Sequence, residues 1–260
     1  MNMKHLFLLV LASLFGFQTS QAEEKESELG LFNHVAGGVS LGLDGIGFDV
    51  AAPVTEWAAI RAGVSFFPKL KFTGDIKIDD NNPAVTDRVD VEGKLNVFDV
   101  KALADFYPFK KSSFHITAGA FIGSSDFITA SNTSMFIKDP SKYGKLGLML
   151  GDYRITTDNQ GYISADVKVN SFKPYLGIGF GRAVPKKSRV RVSCDLGVKF
   201  WGSPRLGAMV KDDWGETYYH KFKSSELDEY DDEDLKDAME FMESLKVFPV
   251  LNIRISGRIF

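Results

Sequence analysis

The stretch that decides the fold is Val190-Arg191-Val192-Ser193-Cys194-Asp195-Leu196-Gly197-Val198-Lys199-Phe200. Every even position in it is apolar, and every odd position is charged, small or polar. A period of two residues is that of a β-strand with one apolar and one polar face. The pattern recurs along most of the chain, behind a secretion signal and ahead of a terminal phenylalanine. This combination predicts a transmembrane barrel whose apolar side faces lipid and whose charged side faces a lumen.

The N-terminus has the three parts of a secretory signal peptide. Lys4 precedes a largely apolar run over 6–17, and a segment ending in small residues predicts cleavage after Ala22. The run is shorter than the about 20 apolar residues that a membrane-spanning helix needs, so cleavage is favoured over an uncleaved anchor. We therefore expect a signal peptide over 1–22, a short leader over 23–33 and the barrel over 34–260.

Composition narrows the function classes. Without residues 1–22 the chain has a net charge of −4, which does not suit nucleic-acid binding. The single cysteine, Cys194, cannot form an internal disulfide, and on the apolar face of its strand it acts as a small hydrophobe. No later segment reaches the about 18 consecutive apolar residues of a transmembrane helix. We expect no cofactor.

Eight alternating segments can be followed along the chain. They cover 35–43, 46–52, 57–67, 94–107, 114–128, 172–183, 189–201 and 247–260. Short turns follow the second, fourth and sixth segments and long loops follow the third, fifth and seventh, as in bacterial outer-membrane barrels. Asp44-Gly45 predicts a two-residue hairpin turn that pairs Leu43 with Ile46. The expected fold is all-β: an eight-stranded antiparallel up-and-down transmembrane barrel with periplasmic termini, long extracellular loops and a short helix in the last loop.

The long connections are expected over 69–93, 129–161 and 202–246. The first is read as a polar loop, and in the second Asp158-Asn159-Gln160-Gly161 predicts a hairpin between 153–157 and 162–169. The apolar set lies on odd numbers in 162–169 and on even numbers in 172–183. Because a one-residue slip exchanges the faces of a strand, this change predicts a bulge or bend near Asn170-Ser171.

Two blocks carry a resemblance to a known family. One is Pro174-Tyr175-Leu176-Gly177-Ile178-Gly179-Phe180-Gly181, followed by Asp195-Leu196-Gly197-Val198 and Gly202-Ser203-Pro204; the other is Phe248-Pro249-Val250, leading to Phe260 after an acidic loop. With them the chain resembles the outer membrane protein β-barrel superfamily, in particular the small eight-stranded barrels that include the transmembrane domain of outer membrane protein A. The likeness covers nearly all of 30–260 and implies an outer-membrane location. It carries over no cell-wall tethering, because the chain has no segment like a peptidoglycan-binding domain.

One feature departs from that family. Its insertion signal places apolar residues at every second position back from the terminal aromatic, whereas here those positions hold Arg258, Ser256 and Arg254. We expect Phe260 to serve as the signal for the β-barrel assembly machinery in spite of this difference of phase.

Twelve charged residues fall on positions expected to face the lumen. They are Asp49, Arg61, Asp99, Lys101, Asp105, Lys173, Arg189, Arg191, Asp195, Lys199, Arg254 and Arg258. The side chains of an eight-stranded barrel can just fill its interior. Because an unpaired buried charge is costly, we expect these groups to form an ion-pair network. The alternative is a narrow passive channel for small anionic or hydrophobic solutes, biased toward anions by a surplus of four positive charges.

An acidic run over 226–234 opens a helical stretch in the last loop. Leu235, Ala238, Met239, Met242 and Leu245 fall on one face, which we expect to pack on the barrel rim rather than on a partner. Carboxylates at a helix start are explained by the helix dipole. The run lacks the glycine and the final glutamate of a calcium loop, so we expect no metal site.

Catalysis has little support in the sequence. His34, His115 and His220 lie on different parts of the expected barrel, and no nucleophile motif surrounds any serine. A membrane-embedded lipid-modifying enzyme is kept as an alternative. We expect a non-enzymatic structural and surface-interaction scaffold of the Gram-negative envelope. Its expected partners are outer-membrane lipid and lipopolysaccharide, the assembly machinery and an extracellular protein bound through the loops, with no nucleic acid.

Overall fold

The computed structural model describes residues 29–68, 70–77, 85–110, 112–135, 137–143, 145–150, 153–186, 189–212, 214–227 and 233–259. The expected signal peptide, the leader over 23–28 and Phe260 lie outside the described residues. The strands are β1 (Ala36–Gly42), β2 (Gly45–Thr55), β3 (Ala58–Phe66), β4 (Leu70–Lys77), β5 (Arg88–Leu95), β6 (Phe98–Phe106), β7 (Phe114–Gly123), β8 (Asp126–Asn132), β9 (Gly147–Leu150), β10 (Tyr153–Thr156), β11 (Ser164–Lys168), β12 (Phe172–Phe180), β13 (Val190–Phe200), β14 (Arg205–Lys211), β15 (Thr217–Lys221) and β16 (Val247–Arg258). The helix α1 (Glu233–Ser244) precedes β16, and short 3-10 turns cover Pro140–Lys142 and Ser224–Leu227.

Eight of these strands close into an antiparallel barrel. Around the wall the order is β1, β2, β3, β6, β7, β12, β13 and β16, and β16 pairs with β1 to close the sheet. Each strand therefore lies beside the barrel strand that precedes it in the chain, in an up-and-down arrangement. The predicted eight-stranded antiparallel barrel is confirmed.

The barrel buries its polar face and exposes its apolar face. In β6, Asp99 is 1% exposed and Lys101 5%, whereas Phe98 and Val100 are each 49% exposed. The other barrel strands follow the same sense of alternation, with Leu176 on β12 52% exposed. The period of two thus identifies the two faces of each strand.

The first hairpin lies two residues away from its predicted register. Gly42 pairs with Gly45, so Leu41 rather than Leu43 lies opposite Ile46, and the turn is Leu43-Asp44. The positive φ of 95° falls on Gly45, as in hairpins where a glycine in the left-handed region follows the turn. Because the shift is an even number of residues, the faces of both strands stay as predicted.

The long connections form a second sheet, which we term the loop sheet. Its order is β4-β5-β8-β11-β14-β10-β9, and β15 pairs with the other edge of β14. The expected polar loop over 69–93 contains the hairpin β4–β5, and the expected fifth strand is divided between β7 in the barrel and β8 in the loop sheet. The loops are long because they carry a sheet of their own.

One expectation for the second long connection is wrong and one is confirmed. The segments on either side of Asp158–Gly161 do not pair with each other, since β10 pairs with β9 and β14 while β11 pairs with β8 and β14. The bulge or bend expected near Asn170-Ser171 is present as a bend at Ser171, where the chain passes from the loop sheet to the barrel; a register irregularity also lies between Val167 and Lys168. The apolar set changes from odd to even numbers because β11 packs its apolar residues on a core whereas β12 exposes them.

The helix predicted in the last loop is present as α1, but it does not pack as expected. Met239 is 3% exposed and packs with Ile155, Ala208, Val210 and Phe222 in the core of the loop sheet, not on the barrel rim. Among the described residues, no helix is both long enough and apolar enough to cross a membrane.

Candidate functional site

The barrel lumen collects nine of the twelve predicted charged residues. They are Asp49, Arg61, Asp99, Lys101, Asp105, Lys173, Asp195, Lys199 and Arg254, all buried. The other three lie where β13 begins and β16 ends: Arg189 is exposed, and Arg191 and Arg258 are half-buried. The buried residues divide into three ion groups, each named here after its central carboxylate.

The Asp99 group holds two lysines on one carboxylate. Lys173 Nζ lies 2.6 Å from Asp99 Oδ1, and Lys199 Nζ lies 3.2 Å from Asp99 Oδ2. Lys199 also lies 3.2 Å from Asp44 Oδ2, and its ammonium group lies 3.8 Å from the centre of the Phe121 ring. Two lysines and two aspartates therefore neutralise each other across the barrel.

The Asp49 group joins β2 to β16. Arg254 Nε donates to both carboxylate oxygens of Asp49, at 2.9 and 3.0 Å, and Arg254 Nη1 donates to the carbonyl oxygen of Ala183 at 3.1 Å. Lys101 Nζ lies 3.8 Å from Asp49 Oδ2. The guanidinium has room only because residue 38 is glycine, since a Cβ there would lie 2.4 Å from Arg254 Nε.

The Asp195 group links four strands through Arg61. Arg61 Nη1 lies 3.0 Å from Asp195 Oδ2, and Arg61 Nη2 lies 2.7 Å from Asp105 Oδ1. Thr117 Oγ1 donates to Asp105 Oδ1 at 2.7 Å, and His115 Nε2 lies 2.8 Å from Asp195 Oδ1. These ion pairs and hydrogen bonds join β3, β6, β7 and β13 across the lumen and hold the barrel wall together from inside.

Two members of these groups were not predicted as lumen residues. The Asp-Gly motif predicts that Asp44 lies in a turn, yet this residue continues the even-numbered inward set of β1 and is 2% exposed. The sequence offers His115 only as a candidate base, although it lies on the inward odd-numbered set of β7 and is 1% exposed. In both cases the odd or even position of the residue in its strand indicates that its side chain faces the lumen.

Charges within the three ion groups are balanced. The buried bases in the ion groups are Arg61, Lys101, Lys173, Lys199 and Arg254, and the buried acids are Asp44, Asp49, Asp99, Asp105 and Asp195. Five stand against five, so the expected surplus of four positive charges is absent from the described ion groups. The surplus disappears because three arginines lie at the end of the barrel and Asp44 joins the network.

The space between the ion groups is small. A cavity of about 10 Å³ is lined by Arg61, Asp195, Asn252 and Arg254, among others. A volume of about 10–15 Å³ holds one water molecule. Arg61 Nε and Asn252 Oδ1 are buried without a protein partner among the described residues, so this pocket is polar enough to suit a water. It has no room for a solute.

Apolar side chains close the short-turn end of the lumen. Leu29, Tyr107, Ala183 and Val184 pack together and are all buried. The Tyr107 hydroxyl accepts a hydrogen bond from the Ala183 backbone N–H at 2.9 Å. The guanidinium of Arg182 lies 4.5 Å from the centre of the Tyr107 ring. These contacts fasten the chain entering β1 and the chain leaving β12 across the opening.

Aromatic side chains cover the other end, where the loop sheet begins. The ring centres of Phe127 and Trp201 lie 4.9 Å apart, as do those of Trp201 and Phe248. Trp201 Nε1 donates to the Leu245 carbonyl oxygen at 2.5 Å. Phe248 also packs on a buried apolar cluster that contains Leu103 and Val250. The ion groups therefore lie between an apolar cluster at one end of the lumen and an aromatic cluster at the other.

Residues considered for catalysis are not brought together. His115 belongs to the lumen, whereas the ring of His220 stacks on Tyr153 in the loop sheet with centres 4.0 Å apart. Ser224, close to His220 in the chain, donates from its hydroxyl to Glu243 at 3.0 Å. Over the described part of the chain, no cluster of three or more His, Cys, Asp or Glu side chains could hold a metal ion.

Comparisons with known proteins give no family. No protein-family model matches the chain, and no curated protein matches it. The chain is similar to the crystal structure of Acinetobacter baumannii CarO2, with 16% identity and a TM-score of 0.44 over 86% of this chain and 98% of that one. It is also similar to CarO of Acinetobacter baumannii, with 16% identity and a TM-score of 0.45 over 87% and 98%. At these values the likeness carries no inference about function, and the outer membrane protein A-like superfamily stays a prediction.

Proposed function

We propose that this chain is an integral outer-membrane protein whose sealed barrel spans the bilayer and holds the loop sheet on the outside of the cell. The protein acts as a non-enzymatic scaffold. The single observation that carries the proposal is the inverted burial of the barrel, in which five acids and five bases are sealed inside a wall with an apolar exterior.

The exterior of the barrel supports a membrane location. Outward residues on the wall, such as Phe48, Ile122, Phe180 and Ile255, are 47–62% exposed. A soluble monomer rarely exposes an apolar patch of more than a few hundred Å², whereas a lipid-facing wall requires one. The barrel strands have 7 to 12 residues, close to the about 9–11 that a tilted strand needs to cross a bilayer. Lipid and lipopolysaccharide are the surroundings that such a wall fits.

Loop lengths support the orientation. The connections after β2, β6 and β12 are short, whereas those after β3, β7 and β13 carry the loop sheet. Short turns on the periplasmic side and long loops on the outer side are the rule for bacterial barrels. This orientation leaves both termini in the periplasm and presents the loop sheet to an extracellular partner.

The sealed lumen favours a scaffold over a channel. Ions would have to pass an apolar layer at each end and an interior where the cavity between charges is about 10 Å³. Breaking buried ion pairs to open a path is costly. A balanced interior also has no net attraction for anions.

Planar-bilayer recording tests this proposal directly. Purified, refolded protein should insert and give no steady conductance, and Arg191→Ala should behave in the same way because Arg191 lies outside the ion groups. Insertion is verified separately by protease protection of the barrel in the same membranes. A steady anion-selective current from the wild type would contradict the sealed lumen, and recovery of the protein as a soluble periplasmic species would contradict the membrane location.

Deleting part of the loop sheet tests whether the barrel folds without it and whether the loop sheet makes the surface contacts. Replacing 205–244 with a short linker removes β14, β15 and α1 but leaves all eight barrel strands. The shortened chain should still show the heat-modifiable gel shift of a folded barrel and should lose surface contacts made through the loop sheet. An unchanged surface phenotype would count against the role of the loop sheet.

A further inference from the structure

We propose that the outer face of the loop sheet holds a binding site for a phosphate-type oxyanion. The site is a cavity of about 290 Å³, where the loop sheet joins the barrel. Three basic side chains line it together with polar ones: Lys168, Arg205 and Lys221 with Ser125, Asn170 and Ser171. We term it the basic pocket.

Strand pairing brings the three cations onto one face. Lys168 on β11 lies directly opposite Arg205 on β14. Lys221 on β15 lies opposite Gly207, two residues further along β14 and therefore on the same face as Arg205. Like charges placed opposite each other on a sheet are destabilising unless something neutralises them. The arrangement therefore favours a bound negative charge.

Only one of the three cations has carboxylate partners in this part of the structure. Lys168 Nζ lies 3.4 Å from both Asp126 and Asp166, and 4.2 Å from the centre of the Tyr219 ring. Burial lowers the pKa of Lys168, but the hydrogen bond to Tyr219 and the two carboxylates outweigh it and raise that pKa, so the lysine stays charged. The two carboxylates more than balance this lysine, so the three cations and two carboxylates together carry a net charge of +1.

Among the described residues, no carboxylate neutralises Arg205 or Lys221. Arg205 Nη2 donates at 3.4 Å to the side-chain oxygen of Asn170, which is neutral, and Lys221 has no carboxylate partner within the described ranges. Both side chains are exposed at the cavity. An oxyanion between them would supply the missing charge, with the hydroxyl of Ser171 as a further donor.

The donor set matches phosphate. A guanidinium binds two oxygens of a phosphate side by side, and a lysine adds a point charge from another direction. Hydroxyl and amide groups donate to the remaining oxygens. The volume is at the lower end of that for small-molecule pockets, which suits a phosphate with part of the group that carries it.

The place of the pocket suggests two sources for the phosphate. Ser125 lies shortly after Ile122 in the chain, and Ser171 lies directly before Phe172. Ile122 and Phe172 are each 57% exposed at the end of the apolar wall. If the barrel spans a membrane as proposed above, the pocket lies at the level of the lipid headgroups. The anion is then either a lipid-borne phosphate or a free phosphate from outside.

The experiment uses the full mature chain in a nonionic maltoside detergent. Inorganic phosphate is titrated by calorimetry, and phosphatidic acid is compared with phosphatidylcholine in mixed micelles. The test variant is Arg205→Gln with Lys221→Gln. The matched control is Lys138→Gln with Lys145→Gln, which removes two exposed lysines from the connection between β8 and β9. The heat-modifiable gel shift verifies that each variant is folded.

The pocket variant should bind at least about tenfold more weakly, since charge-assisted hydrogen bonds to two cations are lost, and the control should bind as the wild type does. Binding of inorganic phosphate indicates a free anion, and binding of phosphatidic acid alone indicates a lipid-borne one. Equal weakening in both double variants, or no binding of either probe, would overturn the proposal. These measurements need no bilayer, so a failure of membrane insertion would leave a positive result standing.

Discussion

The barrel and the loop sheet bury opposite faces of the same kind of strand. On β12 the polar residue Lys173 is 4% exposed and Leu176 is 52% exposed. On β14, Ala208 and Val210 are each 1% exposed, and they pack with Met239 of α1. Both strands alternate with a period of two, yet the barrel is polar inside and the loop sheet is apolar inside.

This difference shows what alternation does and does not determine. A period of two assigns residues to faces, but the surrounding medium decides which face is buried. In the barrel the polar face can be buried because each carboxylate meets a base. In the loop sheet, α1 covers one part of the apolar face and the connection between β8 and β9 covers another. An ion pair should therefore contribute much more to the free energy of unfolding inside the barrel than on the exposed face of the loop sheet.

The largest expected effect is on the Asp99 group. Asp99→Ala leaves Lys173 and Lys199 buried without their shared carboxylate, which should destabilise the barrel by about 3–5 kcal/mol. Urea titration followed by the heat-modifiable gel shift measures the loss. The control is Asp75→Ala in the loop sheet, where the pair with Arg88 at 3.4 Å is more than half exposed and its loss should have no measurable effect. Equal effects of the two variants would refute the distinction between the regions.

A second comparison places a lysine on the outer face of each region. Leu176→Lys puts a charge on the wall that we propose to face lipid, and it should cost about 2–4 kcal/mol near the bilayer centre. Met209→Lys changes a residue 41% exposed on the outer face of β14 and should be neutral. Refolding yields into vesicles at graded urea concentrations measure both. If Leu176→Lys folds as well as Met209→Lys, the wall does not face lipid.

A smaller effect is expected where glycine makes room for the network. Gly38→Ala would bring its Cβ to 2.4 Å from Arg254 Nε, so the guanidinium must shift and its bonds to Asp49 must distort. Overpacking of this kind typically costs about 1–3 kcal/mol. Gly74→Ala in β4 is the control, since a Cβ there would have no atom within 4 Å. The same unfolding measurement should separate the variants, and loss of stability in both would point to backbone conformation instead.

Much of the barrel could be predicted from sequence because the alternation of polar and apolar residues is visible within each strand. Strand parity placed nine charged residues in the lumen, but it could not show how far each strand extends. Arg189, Arg191 and Arg258 share the inward parity and yet lie where the strands end. Strand parity also places Asp44 inside the barrel, whereas the Asp44-Gly45 motif predicts a turn at that position.

The loop sheet could not be predicted because its pairing is not local. β5 pairs with β8 and β11 with β14, across separations that no turn motif indicates. The local signal was present, since Leu206, Ala208 and Val210 alternate with polar or small neighbours on most positions. Without a partner in view, a single alternating segment between polar stretches is read as loop.

The smallest effect concerns Tyr219, which crosses the outer face of the loop sheet. Its hydroxyl donates to Asp166 Oδ2 at 2.5 Å, and a Cβ on Gly207 would clash with that hydroxyl. Burial, together with the hydrogen bond to Asp166 and the charge of that carboxylate, raises the pKa of Tyr219 to about 12 from 10.0. Because the folded form holds this proton more tightly than the unfolded chain does, the stabilisation is complete below pH 10 and disappears as the pH rises through about 12.

Tyr219→Phe should therefore lower stability by at most about 1 kcal/mol at neutral pH, since the bond is partly exposed to water. The difference from the wild type should shrink between pH 10 and pH 12, where tyrosinate forms in the wild type. Hydrogen exchange of the β14–β15 amides follows the stability, and the absorbance difference between the two proteins follows the titration. A midpoint near 10 would show that Asp166 does not hold the hydroxyl in solution. A midpoint near 12 would show that the hydrogen bond from Tyr219 to Asp166 persists in solution.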